Sequence, residues 1–205
     1  MNITVRSATK SDLSTVAALL SEAFATDPAA HRIVGVRSRE ETQEALEGLL
    51  EPLIRLYYFP DGEVDVAVTD DGEVVGAALW DRPGVSLGLR AQLAMVPRVV
   101  GVLGRRLAQT AIQSFRVRGY HPKFPHWYLF MIGARPKAQG SGVGSALLRH
   151  GLDRAGDEAA YLEASTPASA SLYQRMGFVP LGLHPLPAGD TDPELGMWRP
   201  GAMPA

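Results

Sequence analysis

Residues 127–145 read WYLFMIGARPKAQGSGVGS. Trp127 to Ala134 is a short apolar run, aromatic and β-branched enough to predict a buried strand. It stops at Arg135-Pro136, where proline ends ladder pairing. A short loop leads to Gln139-Gly140-Ser141-Gly142-Val143-Gly144. After it, Val143, Leu147, Leu148, Gly151, Leu152 and Ala155 recur on one side of a helix. The unit is therefore strand, glycine turn, helix. A helix start leaves backbone N–H groups unpaired and carries partial positive charge. Glycines let an anion come close to that backbone, so the expected ligand is a phosphate or pyrophosphate.

Working outward, Ala159 to Ala164 predicts the next strand, ending in Tyr161-Leu162-Glu163. Ser165-Thr166-Pro167 turns into a short helix, Ala168 to Met176, stopped by Gly177. Phe178–Leu183 and Leu195–Arg199 read as final strands. Upstream, Ile3–Ser7 alternates as a strand. Thr9 with Asp12 marks a helix start, and Asp27-Pro28 marks that helix's end. A second helix is expected from about Ser38 to Tyr58, kinked at Pro52. Val64–Thr69 and Glu73–Trp80 flank Asp70-Asp71-Gly72 as a hairpin. Residues 85–118 read as helical pieces interrupted near Pro97, Gly101 and Gly104. No repeat or linker appears, so residues 1–205 are expected to form one mixed α/β domain.

The chain has 205 residues and no cysteine, which excludes disulfides, thiolate zinc sites and a cysteine nucleophile. No apolar run reaches membrane-spanning length, and the start has no apolar signal core; a cytoplasmic protein is the expectation. The net charge of −2 conceals an asymmetry. No acidic residue lies between Asp81 and Asp153, a span that holds Arg82, Arg90, Arg135, Lys137 and seven other basic residues. A nucleic-acid surface or chance would account for it; the sharper reading is a polyanionic ligand held near the glycine turn. Glu40, Glu41, Glu44, Glu47 and Glu51 share one predicted helix, as a solvated face or an attraction for cations.

Several chemistries find no support. The sequence has no GxxxxGK[ST], no G-x-S-x-G and no HExxH, and its five histidines lack metal-ligand spacing. Two readings of the turn survive. In a dinucleotide fold Glu163 would bind the ribose, but the spacing is G-x-G-x-G, and too little chain follows to complete that sheet. The other reading is an acyl-CoA site.

The turn fits a Q/R-x-x-G-x-G/A pattern, preceded by Ala134-Arg135-Pro136 at a strand end. Leu172-Tyr173-Gln174-Arg175-Met176-Gly177-Phe178 fits L-Y-x-x-x-G-F. On these two motifs, at this separation, the chain resembles the GNAT superfamily of N-acetyltransferases over nearly its whole length. The resemblance implies an α/β (α+β) fold: a mixed sheet of about seven strands flanked by helices, with 85–118 as a helical insertion between the third and fourth strands. It implies acetyl-CoA as cosubstrate and no metal. Its pyrophosphate would lie on Gln139, Gly140, Ser141, Gly142, Val143, Gly144 and Ser145, and its pantetheine along Ile132, Gly133 and Ala134. Thr166 and Ser169 stand where the family often has a CoA-binding asparagine.

By the same resemblance Tyr173 protonates the departing thiolate, and direct attack by an amine fits a chain without cysteine. Family members often carry a glutamate on the strand before the turn, but Trp127–Ala134 has no acid. Glu163 becomes the candidate base or ammonium ligand, with His126 and Tyr128 behind it. Within the superfamily the chain is most similar to the puromycin N-acetyltransferase group, through Val5-Arg6-Ser7-Ala8-Thr9, Ala23-Phe24-Ala25 with Pro28, His121-Pro122-Lys123, and Leu162-Glu163 with Ser165 and Pro167. That likeness and the insertion imply a small-molecule amine acceptor, with no nucleic-acid or membrane partner; homodimers are common in the superfamily. A non-catalytic acyl-CoA sensor and an enzyme for protein N-termini or lysines stay open.

Overall fold

The structure is a computed structural model, and it describes residues 2–35, 38–85, 88–104, 121–186 and 192–202. Seven strands form one sheet: β1 (Ile3–Ser7), β2 (Glu63–Thr69), β3 (Val74–Asp81), β4 (Trp127–Ala134), β5 (Ala160–Ala164), β6 (Val179–Leu183) and β7 (Leu195–Arg199). Their order is β1-β2-β3-β4-β5-β7-β6. Only β4 and β5 run parallel; every other neighbouring pair is antiparallel. This is the mixed seven-stranded sheet that the two motifs imply.

Helices cover both faces. α1 (Leu13–Phe24), α2 (Pro28–Val34) and α3 (Arg39–Leu53) precede β2, and α4 (Leu89–Leu103) follows β3. α5 (Val143–Ala155) connects β4 to β5, and α6 (Pro167–Arg175) follows β5. Leu13, Val16, Leu19, Leu20, Leu46 and Ile54 bury one face of the sheet with Val66 and Leu79. On the other, Leu147, Leu148 and Leu152 pack on Trp80, Trp127, Leu129 and Leu162. The period-2 alternation of the strands assigns their side chains to these two cores.

Three local expectations change. Asp27-Pro28 does not simply end a helix. Asp27 Oδ1 accepts from the N–H groups of Ala29 (2.8 Å) and Ala30 (3.2 Å), so it caps α2, with Pro28 at the first turn. The helix expected to Tyr58 leaves α-geometry after Leu53 and closes with a π-helical turn, Ile54–Tyr58. Pro52 supplies no N–H to the preceding turn, which is the local reason for a widened helix here. By contrast, α4 runs straight through Pro97 and Gly101 and ends at Gly104, where φ is 48°. Of the helical insertion expected over 85–118, residues 86–87 and 105–118 lie outside the described residues.

Two glycines set α5 against the sheet. A Cβ at Gly76 would lie 2.3 Å from Val143 Cγ1, and one at Gly151 would lie 2.5 Å from the Trp80 ring. Such contacts exist only without side chains, so α5 lies directly on β3. Its far half is tied to β2 by Arg154, which donates to the fully buried carboxylate of Asp65, and by His150 Nε2 at 3.6 Å. The helix that begins at the glycine turn is thus fixed along its length.

Candidate active site

β4 and β5 pair over only three residues: Trp127 with Ala160, Tyr128 with Tyr161, and Leu129 with Leu162. Beyond them β5 continues its ladder with β7 through Ala164, while β4 continues with β3 through Ala134. The β3–β4 register shifts at Leu79/Trp80, and the extra β4 residue is Phe130. The bulge bends β4 as its pairing with β5 ends. From Phe130 to Ala134 the β5-facing edge has no strand partner. Ile132, Gly133 and Ala134 lie on this open edge.

The glycine turn closes the wedge at the C-terminal end of β4. Pro136–Ala138 makes one 3₁₀ turn, and Gly140 and Gly142 take left-handed φ of 76° and 91°. A Cβ at either would meet nothing within 4 Å. Backbone conformation, not crowding, therefore demands glycine there. Gly142 caps α5 without any side-chain bond, and helical bonding begins with Ala146 N–H to Gly142 C=O at 2.9 Å. The amides of Val143, Gly144 and Ser145 stand ahead of that first bond, the arrangement suited to a phosphate. Gln139 Nε2 donates to Ala134 C=O and Ser141 Oγ to Ala138 C=O, so both side chains brace the turn.

Across the wedge, α6 carries Tyr173. The Thr166 and Ser169 hydroxyls form a reciprocal capping box at its start, which commits both side chains to the helix. Tyr173 is buried against Phe178, with ring centroids 6.1 Å apart. Burial pushes its phenol above the ordinary range, and the charge of Asp27 adds to the push. Asp27 is also the acceptor for Ser165 Oγ at 2.6 Å, so the cap of α2 is joined to the end of β5.

Glu163 lies on the opposite face of β5 from Leu162. Tyr128 OH donates to its Oε2 at 2.6 Å, and His121 Nε2 stands 2.8 Å from its Oε1. That second contact is close but off-line, since Oε1 accepts no aligned hydrogen bond. Burial works to raise the Glu163 carboxyl; His121 and Tyr128 outweigh it and hold the group below its ordinary value. Rings line this face. Tyr58 stacks on Phe130 at 5.5 Å, Tyr128 on Tyr161 at 5.9 Å, and His121 contacts both Tyr128 and Tyr161. Asp81 is the register partner of Tyr128, with one oxygen buried and unbonded. Burial raises its carboxyl against the pull of Tyr57, Tyr58 and His121.

The structure therefore brings Glu163, Tyr128 and His126 into one aromatic cluster and sets the turn residues and Tyr173 around the wedge. Sequence reasoning missed Asp81, Tyr57, Tyr58, His121, Phe130, Tyr161 and His184 as residues of this face. A signal existed for Tyr161, which shares a strand face with Glu163 two residues on. Asp81 and the Tyr57-Tyr58 pair come from distant segments and carry no local pattern. Among the described residues no group could hold a metal ion, and no helix is long and apolar enough to cross a membrane.

The acetyltransferase (GNAT) family description matches residues 30–178. The chain is similar to the structure named histone acetyltransferase HPA2 and related acetyltransferase from Corynebacterium glutamicum ATCC 13032. Identity is 44%, coverage 100% of this chain and 99% of that one, and TM-score 0.80. A phosphinothricin acetyltransferase from Sinorhizobium meliloti, in complex with AcCoA, shares the fold at 19% identity, with coverage of 98% and 89% and TM-score 0.55. Arylalkylamine N-acetyltransferase 2 from Aedes aegypti shares it at 13% identity, with coverage of 97% and 99% and TM-score 0.62. With most of its length inside the family match and a full-length relative at 44% identity, the chain belongs to the GNAT family of acetyltransferases.

Proposed function

We propose that the protein transfers the acetyl group of acetyl-CoA directly to the primary amine of a small molecule. The observation that carries this is the wedge between β4 and β5, with an uncapped helix start at one end and a carboxylate among aromatic rings beside it. The amides of residues 139–145 would hold the pyrophosphate, and the open edge at Ile132–Ala134 would pair with the pantetheine amides. Thr166 and Ser169 would reach CoA only by sharing hydroxyls already used in the cap. Tyr173 would protonate the thiolate. Its phenol lies above the usual range, so it is protonated in the resting site and holds a proton to give as the C–S bond breaks. The Glu163 carboxylate would attract the acceptor's ammonium group to this face. A small acceptor is favoured by the helical insertion between β3 and β4, whose α4 packs against α3, and by the likeness to the puromycin N-acetyltransferase group.

A protein lysine or N-terminus is the second reading, drawn from the name of the 44% identical relative. Thiol release from acetyl-CoA, measured against small amines including puromycin and against a lysine-bearing peptide, separates the two. Tyr173→Phe run alongside should lower kcat by at least ~10²-fold with little change in KM for acetyl-CoA. Release without amine preference, or a mutant equal to wild type, would remove the role given to Tyr173.

A further inference from the structure

Glu163 is the deeper member of its pair with His121: its side chain is 11% exposed, that of His121 24%. Both carboxylate oxygens are engaged or faced, one by Tyr128 OH and one by the imidazole. An acceptor arriving over the aromatic face meets the imidazole first. That ring is held in place by Tyr128 at 4.9 Å and Tyr161 at 5.0 Å, and its Nε2 stands 2.8 Å from the carboxylate without an aligned hydrogen bond. Nδ1 is the ring nitrogen on the side away from that contact. A fixed imidazole backed by a buried carboxylate is an arrangement that orients a general base and stabilises the imidazolium it becomes.

We propose that His121 is the general base that takes the proton from the acceptor's ammonium group, with Glu163 behind it as a positioning residue. This rests on the transfer reaction proposed above. His121 accepts one proton from R–NH₃⁺, leaving the neutral amine. The nitrogen lone pair forms the C–N bond to the thioester carbonyl, and the C–S bond breaks. The nitrogen loses a second proton as the intermediate collapses, and the sulfur gains one from Tyr173, so CoA leaves as the thiol. Tyr173 is restored by that second proton, and the net proton released passes from His121 to solvent.

The groups around the imidazole support this division. Asp81 faces it from β3, Tyr128 from β4, Glu163 and Tyr161 from β5, His126 from the loop before β4 and His184 from the segment after β6. Burial pushes His126 and His184 below the ordinary imidazole range, although Glu163 pulls both upward. Tyr128 is kept protonated by burial and by Glu163, so it serves only as a donor to the carboxylate. Glu163 itself, held ionised by His121 and Tyr128, is a weak proton acceptor. His121 approaches the Glu163 carboxylate directly, with Nε2 2.8 Å from Oε1.

The test is the pH profile of kcat/KM with the best amine, for wild type, His121→Gln, His121→Asn and Glu163→Gln, with acetyl-CoA binding and thermal melting as folding controls. Either His121 variant should lose at least ~10²-fold in kcat and the acidic limb of the profile, with KM for acetyl-CoA unchanged. Glu163→Gln should keep that limb and lower kcat with KM for acetyl-CoA unchanged, because the imidazole loses the carboxylate that orients it. A limb that survives in both His121 variants and disappears in Glu163→Gln would make Glu163 the base and overturn the proposal. Histidine NMR at a fixed pH gives an activity-free readout. The His121 ring resonances should move in Glu163→Gln; unchanged resonances would sink the pairing. Should wild type acetylate no amine, the transfer reading fails, and these spectra still decide the His121–Glu163 contact.

Discussion

Asp65 shows what a single buried charge does here. Its side chain is fully buried on β2 and answered by Arg154 of α5, and one of its oxygens has no hydrogen-bond partner. Burial raises its carboxyl above the ordinary range even against Arg154 and His150. A carboxyl raised in the folded state holds its proton more tightly there than in the unfolded chain. Its stabilising contribution is therefore full below the unfolded pKa and is lost as pH rises through the folded one. Arg154→Met should remove on the order of 3 kcal/mol at neutral pH and less under mildly acidic conditions, where Asp65 can protonate. Urea melts at the two conditions measure it; a deficit that grows on acidification would contradict the account. Neither partner was singled out from the sequence, because each looks like an ordinary charge in its own element. Tyr173 was legible because its motif is local: Leu172, Gly177 and Phe178 surround it within one helix and its stop.

The glycine turn is the element in which sequence and structure correspond most closely. Its strand, break, turn and helix all lie within Trp127 to Ala155, so period, proline and glycine suffice to read them. Gly142 sits at φ 91° with open space where a side chain would be. Gly142→Ala should therefore cost about 1–2 kcal/mol through backbone strain alone. It should also raise KM for acetyl-CoA, by disturbing the amides that precede Ala146. Thermal melting and acetyl-CoA titration check both; an unchanged KM would remove those amides from the ligand site. The π-helical turn at Ile54–Tyr58 was not legible. Pro52 marks a disturbance there, but the apolar spacing continues that of α3, and a proline by itself does not distinguish a kink from a change of helix type. Because Tyr57 and Tyr58 both ride on that turn, part of the acceptor face escaped the sequence with it.

At the scale of the molecule, the mixed seven-stranded sheet could be anticipated because the local elements and the two motifs agree with one fold. The aromatic face could not. It joins Tyr58, Asp81, His121, Tyr128 and Glu163, from five separate stretches of chain; sheet register aligns Asp81, Tyr128 and Glu163, and Tyr58 and His121 join them from the π-helical turn and the loop before β4. The sheet also acts as a partition. α5 and its core occupy one face of β4, and the aromatic cluster with Glu163 occupies the other; the wedge is the gap between them. If the two substrates enter this gap from separate sides, each can bind while the other is in place. Double-reciprocal plots for acetyl-CoA and amine should then intersect, and CoA should inhibit competitively against acetyl-CoA but not against the amine. Parallel lines would imply that the first product departs before the second substrate arrives. A partition open on both sides also leaves each product its own exit, so the acetylated amine need not wait for CoA to depart.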